Sequence, residues 1–148
     1  MIAVLQRVSR AAVSIDNTAV GAIEAGLVIF LGVVDRDTAD DGKFLAEKIV
    51  HFRIFNDGSG KMNRSLLDVG GSVLVVSQFT LCGDWRKGRR PSFIHAAPPE
   101  LGKTLYRRFM DDLRTLGVPV QKGRFGAMME VELVNDGPVT FVLDSQQR

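Results

Sequence analysis

The run Leu27-Val28-Ile29-Phe30-Leu31-Gly32-Val33-Val34 decides the fold class. Every residue but Gly32 is apolar, and most are β-branched or aromatic. The run is far too short to cross a membrane. Its pattern predicts a strand buried on both faces. Residues 72–79 read the same way, as a second central strand. Upstream, residues 1–8 and 11–15 read as strands. Asp16-Asn17 offers a turn, and residues 19–23 return as a hairpin partner. A helix follows the first run: Thr38 and Asp41 form a capping-box pair, and Leu45, Ile49 and Phe52 share one face. A second helix starts near Glu100, with Pro98 and Pro99 before it. Leu101, Leu105, Phe109, Leu113 and Leu116 make its apolar stripe, and Gly117 and Pro119 stop it. Residues 118–120, 127–134 and 139–143 read as closing strands. The order lacks the regular strand–helix alternation of a doubly wound fold. It predicts a mostly β chain with two helices, of the α+β class. The expected form is a curved sheet or β-barrel-like domain with the helices packed outside, in one domain over residues 1–148.

Composition narrows the functional classes. The chain is 45% hydrophobic and 24% charged, which suits a folded globular domain rather than a disordered one. One cysteine, Cys82, excludes an internal disulfide framework and a multi-cysteine zinc site. Arg7 and Arg10 interrupt what would otherwise resemble a leader's apolar region. A cytoplasmic setting is expected, with no metal, no cofactor and no membrane partner. A net charge of +2 says little until its distribution is considered.

Familiar catalytic signatures are missing. Gly58-Ser59-Gly60-Lys61 resembles a phosphate loop only briefly, because Phe55 stands where a glycine is needed and Met62 follows the lysine. A plain turn is expected there. His51, on the first helix, reads as a half-buried structural residue. His95 is a weak general-base candidate. Ser77-Gln78-Phe79-Thr80-Leu81 ends an apolar strand with three polar side chains. Either the strand simply emerges into solvent, or its end faces a cleft where backbone N–H groups can stabilise an oxyanion. Thr80 would need a neighbouring base to act as a nucleophile, and none is adjacent in sequence. Arg86, Lys87, Arg89 and Arg90 crowd one loop beside Trp85. They are solvated surface charge or a phosphate-tracking patch, and their density favours the patch. Asn135-Asp136-Gly137-Pro138-Val139-Thr140 reads by itself as an ordinary turn between two strands.

Together, the segments at 77–81 and 135–140 give the chain a specific likeness. It resembles the D-aminoacyl-tRNA deacylase family of the cis Gly-Pro chiral-proofreading type. The similarity extends across nearly the whole chain. It takes in Arg7, Gly60-Lys61-Met62-Asn63, Arg89-Arg90-Pro91-Ser92-Phe93, Ala96-Ala97-Pro98-Pro99 and Gly123-Arg124-Phe125-Gly126. Met128, Cys82, Gly83, Trp85 and His95 depart from the family's usual residues.

The resemblance implies hydrolysis of the ester that joins a D-amino acid, or glycine, to the ribose at the tRNA 3′ end. It implies a homodimer in which a cis Gly137-Pro138 bond reaches into the partner subunit's pocket, with Arg7 bracing that segment. Ser77, Gln78, Phe79 and Thr80 are implied to line the catalytic pocket. Ala97, Pro98 and Met129 are implied to join Gly137, Pro138 and Arg7 in holding the substrate. A rigid backbone wall beside the α-carbon rejects an L side chain by collision, tolerates many D side chains and cannot exclude glycine. Two mechanisms fit: Thr80 attacks or activates water, or the substrate's own ribose 2′-hydroxyl assists. The second is favoured, since Thr80 has no evident base. Two other readings compete. One is a non-enzymatic RNA-binding module. The other is an esterase that uses Ser77 or Thr80 with His95.

Overall fold

One strand organises the chain. In the computed structural model, which describes residues 1–147, strand β1 runs unbroken over Ile2–Ile15. Its first half pairs antiparallel with β3 (Gly26–Gly32) and its second half with β2 (Thr18–Ile23). β6 (Ser72–Ser77) lies parallel to β3, and β7 (Val120–Lys122) lies parallel to β6. β2 then approaches β7, so the sheet nearly closes into a barrel. At that seam a Cβ on Gly21 would sit 2.7 Å from the Lys122 carbonyl oxygen. β8 (Glu130–Asp144) follows the other edge of β1 along almost its full length.

The near-continuous apolar runs are explained by two cores. Val28, Leu74 and Val76 point into the barrel with Val8, Ala11, Val13 and Ile23. Their neighbours Leu27, Ile29, Leu31, Val73 and Val75 point outward. There they meet Leu45 and Ile49 of α1 (Ala39–His51) and Phe109 and Leu113 of α3 (Pro99–Thr115). The two long helices therefore pack outside the barrel, as expected. A single-turn helix, α2 (Leu66–Val69), adds to them; Ser65 and Asp68 form its capping box. Its one turn is too short to show periodicity in sequence.

Three boundaries differ from the sequence reading. The segments at 1–8 and 11–15 are one strand. Val8 pairs with Asn135 and Arg10 with Val134, so Ser9 is an extra residue. This bulge switches the faces, which lets Ala3 and Leu5 serve the helix-side core while Ala11 and Val13 fill the barrel. The strand at 72 ends at Ser77, and Phe79–Cys82 coil into a 3-10 turn. The segment at 135–140 is no hairpin turn, because β8 continues through it. Gln6 pairs with Thr140 and Val8 with Asn135, so residues 136–139 all stand opposite Arg7 alone.

β4 (Phe55–Asn56) and β5 (Met62–Arg64) form a small hairpin. Its loop is the plain turn expected. Asp57 accepts hydrogen bonds from Ser59 N, Lys61 N, the Ser59 hydroxyl and Asn63 Nδ2. Those donors, Asn63 first, hold its carboxyl far below the ordinary carboxylate range. The amides a phosphate would need are already taken.

Substitution of Gly21 tests the seam. Gly21→Ala forces a methyl against a backbone carbonyl and is expected to cost about 1–3 kcal/mol as overpacking. Gly58→Ala, with nothing within 4 Å of the added carbon, serves as the control. Thermal unfolding of the two variants reads the difference, and equal midpoints would show that the seam is not tightly closed.

Candidate active site

The end of β6 opens into a cleft of about 670 Å³. Ser77, Gln78, Phe79 and Thr80 line one side. Ala96 and Ala97, in the segment that leads into α3, and Pro99 at its start face them, and residues 125–129 close a third side. Leu31, Val33 and Val76 extend the apolar lining from the sheet. Beneath them lies Tyr106 of α3, whose hydroxyl donates to the Val75 carbonyl at 2.8 Å. Burial pushes that phenol well above its ordinary range, so it stays neutral and structural.

The turn at 79–82 places backbone donors at the cleft. Leu81 N donates to Gln78 O at 3.2 Å and Gly83 N to Thr80 O at 3.1 Å. The N–H groups of Phe79 and Thr80 precede the first bond of that turn. The Thr80 hydroxyl accepts from Gln78 Nε2 at 2.5 Å. No base holds it: the His95 ring makes no hydrogen bond to Thr80 or Ser77 among the described residues. His95 is exposed, and its backbone oxygen accepts from Asp35 N. Phe79 is 59% exposed at the cleft and meets Phe93 edge-on, with ring centroids 5.0 Å apart. Met128 is 92% exposed, whereas Met129 is partly buried and its sulfur lies 3.4 Å from Arg124 N.

The other expected residues fall into groups. Pro98 caps α3 and its carbonyl accepts from Gly102 N, while Pro99 beside it does the lining. Gly137 and Pro138 are exposed on β8 and do not line this chain's own cleft. Their peptide bond is cis. Arg7 reaches the segment from the opposite strand. It is 5% exposed, and its Nε lies 2.9 Å from Asp136 Oδ2 and donates to Asp136 O at 3.2 Å. Its other end donates to Ile54 O at 2.6 Å and to Asn56 Oδ1 at 3.3 Å. Asn135 Nδ2 adds bonds to Arg7 O and Val139 O. Asp136, Gly137 and Pro138 are thus exposed but pinned from two sides, and Val139 after them is buried in the core.

In the basic loop, Asp84 and Ser92 exchange backbone bonds of 2.8 and 2.9 Å. Arg86 folds back on Asp84 with two guanidinium bonds of 2.8 and 2.7 Å, which hold that carboxyl far below its ordinary range. Lys87, Arg89 and Arg90 are exposed and unpaired among the described residues. Cys82 is buried, its thiol pushed up by desolvation and donating to Val33 O. His51 is exposed rather than half-buried, with Nδ1 2.9 Å from Glu47 O one turn back on α1. An amphipathic helix end carries its last residue outward, and the apolar spacing stops short of fixing that. Among the described residues, no cluster of three or more potential metal ligands occurs.

A family model described as D-Tyr-tRNA(Tyr) deacylase matches residues 4–144. The chain belongs to that family. The D-aminoacyl-tRNA deacylase of Thermus aquaticus is 57% identical over 148 residues, covering 100% of this chain and 97% of that one. That of Fervidobacterium nodosum (strain ATCC 35602 / DSM 5306 / Rt17-B1) is 58% identical over 147 residues, 99% of each. A solved structure named "c-Myc DNA Unwinding Element Binding Protein" superposes with a TM-score of 0.92 at 39% identity, over 97% of this chain and 98% of that one. Another, "Structural Analysis of a probable eukaryotic D-amino acid tRNA deacylase", shares the fold, with a TM-score of 0.82 at 21% identity over 96% and 97%. The deacylase is accordingly a hydrolase by family, built on the barrel and helices described above.

Sequence reasoning missed Tyr106, Asn135 and Asn56. The signals were thin: Tyr106 is the chain's one tyrosine, and Asn135 opens a segment that reads as a turn. The bracing by Arg7 is testable without a substrate. Arg7→Ala strips the buried Ile54 carbonyl of its partner and is expected to cost about 1–3 kcal/mol. Arg7→Lys restores the charge but not the fork that spans Ile54, Asn56 and Asp136, so it should recover only part of the loss. Urea midpoints measure both, and a wild-type midpoint for Arg7→Ala would refute the brace.

Proposed function

We propose that this deacylase hydrolyses the ester of D-aminoacyl-tRNA and of glycyl-tRNA in the cytoplasm, working as a homodimer. The cleft at 77–80 takes the aminoacylated ribose. Gly137 and Pro138 of one subunit wall the cleft of the other. The observation that carries this reading is the braced segment at 136–138: it is exposed and lies outside its own chain's cleft, yet it is anchored by Arg7, by Asn135 and by the buried Val139 that follows it. A segment so fixed and so exposed suits a rigid surface offered to something else.

The chemistry asks little of side chains, because an aminoacyl ester is already reactive. Water adds to the carbonyl carbon, and the developing oxyanion accepts from the N–H groups of Phe79 and Thr80. The bond to the ribose oxygen then breaks, and that oxygen takes a proton to become the free 3′-hydroxyl. Loss of one such donor typically costs ~2.7–4 kcal/mol in the transition state. The neighbouring ribose 2′-hydroxyl assists the proton transfers, and Gln78 fixes the Thr80 hydroxyl at the site. Among the described residues no base bonds the Thr80 hydroxyl, which supports assistance by substrate over a side-chain nucleophile. The lining is largely apolar, and Ala97 and Met129 belong to it, which suits contact with varied apolar side chains.

Chirality follows from collision. A backbone wall beside the α-carbon meets an L side chain, passes a D side chain and finds nothing to reject in glycine. The bare Gly137 brings main chain close to a ligand, and an added carbon there would meet Asn135 Oδ1 at 3.0 Å. Lys87, Arg89 and Arg90, with Arg86 held by Asp84, supply a basic surface for the tRNA backbone.

Matched D-tyrosyl-, L-tyrosyl- and glycyl-tRNA are the direct assay. Release of D-tyrosine and glycine with L-tyrosine retained is expected. Equal release of both enantiomers would keep the esterase and remove the backbone wall. Thr80→Ala should slow turnover by no more than about tenfold, the worth of one hydrogen bond. Near-complete loss in a folded variant would instead make the hydroxyl the nucleophile.

A further inference from the structure

Trp85 is the largest side chain left in water among the described residues, at 80% exposure, and among them it makes no ring contact with another aromatic side chain. It stands one residue beyond the Asp84–Ser92 pairing that closes the basic hairpin. Both ends of that hairpin are tied to the cleft. Gly83 N donates to the carbonyl of Thr80, and on the return Ala96 bridges to Val34 while Ala97 N donates to Val33 O. Thr80, Ala96, Ala97 and Val33 all line the cleft. An indole left in water on a loop whose two ends are rooted at the cleft has no packing partner in a core to explain it. Because Asp84 claims Arg86, the cations left free around the indole are Lys87, Arg89 and Arg90.

A bare aromatic face among unpaired cations is the composition that binds single-stranded nucleic acid. Bases stack on the ring while the charges follow the phosphates. A base-paired stem hides its base faces everywhere but at its ends. We infer that Trp85 is a stacking platform for an unpaired base of the tRNA acceptor end, with Lys87, Arg89 and Arg90 on the adjoining phosphates. This inference rests on the reading of the cleft as the site for aminoacyl-tRNA. It adds a positioning residue that orients the strand so that its terminal ribose enters the cleft.

Trp85 is the chain's one tryptophan, so its emission reports on itself. The probe is the unpaired RNA trinucleotide CCA, set against a blunt RNA duplex at equal phosphate concentration. Saturable quenching by the trinucleotide, with little from the duplex, is expected. In turnover of D-tyrosyl-tRNA, Trp85→Ala should raise KM about tenfold with kcat retained, as the loss of one base stack allows. Trp85→Phe should recover most of that loss, which a merely structural residue would not predict. Replacing Lys87, Arg89 and Arg90 together with alanine should flatten the salt dependence of KM, a slope that Trp85→Ala leaves in place. Unchanged emission at trinucleotide concentrations that saturate the protein would overturn the inference. So would a wild-type KM in Trp85→Ala. Quenching in a protein that fails to release D-tyrosine would support the stacking platform and sink the deacylation reading instead.

Discussion

The pairing of β1 with three other strands is the constraint on which the molecule rests. One edge of β1 carries β3 and then β2, and the other carries β8. Because a single strand serves both halves of the barrel, it must change faces midway. The bulge at Ser9 makes that change, so that Leu5 packs under the helices and Val13 packs inside the barrel. The same stretch holds Arg7, which faces the protruding residues of β8. The irregularity that closes the barrel and the one that shapes the Gly137-Pro138 segment are therefore neighbours, separated by Val8.

Much of the architecture was legible because burial on both faces leaves an unmistakable sequence record. The runs at 27–34 and 72–79 could hardly be anything but central strands, and the stripe of α3 could hardly be anything but a packed helix face. What escaped was whatever depends on a partner strand. A bulge looks like a strand end, so β1 read as two pieces. A protrusion from a continuous strand looks like a turn, so β8 did too. Local sequence records φ, ψ and polarity preferences; it does not record that Arg7 will stand across from four residues.

The site divides in the same way. Residues 77–80, Ala97 and Met129 were named from the sequence and do meet in one cleft. Gly137, Pro138 and Arg7 lie together elsewhere on the same chain. Without the likeness to a known family, the polar end of β6 would have passed for a strand entering solvent. Tyr106 and Asn135 were invisible because each acts by bonding to main chain, at Val75, Arg7 and Val139, and such bonds have no spacing rule.

The recurrence of main-chain groups at the positions proposed to act on substrate bears on how the protein tolerates mutation over time. The cleft's turn offers amides, and the protruding segment offers backbone stripped to glycine and proline. Only a change to proline deletes an amide, and no change deletes a carbonyl. On the proposed reading, variation can run through the lining side chains while the main-chain surface persists, and loss of function comes mainly through geometry. The vulnerable positions are the supports, Arg7, Asn135 and the glycines at close approaches, where one substitution moves backbone. Such a protein trades the usual fragility of a catalytic side chain for dependence on a stiff frame.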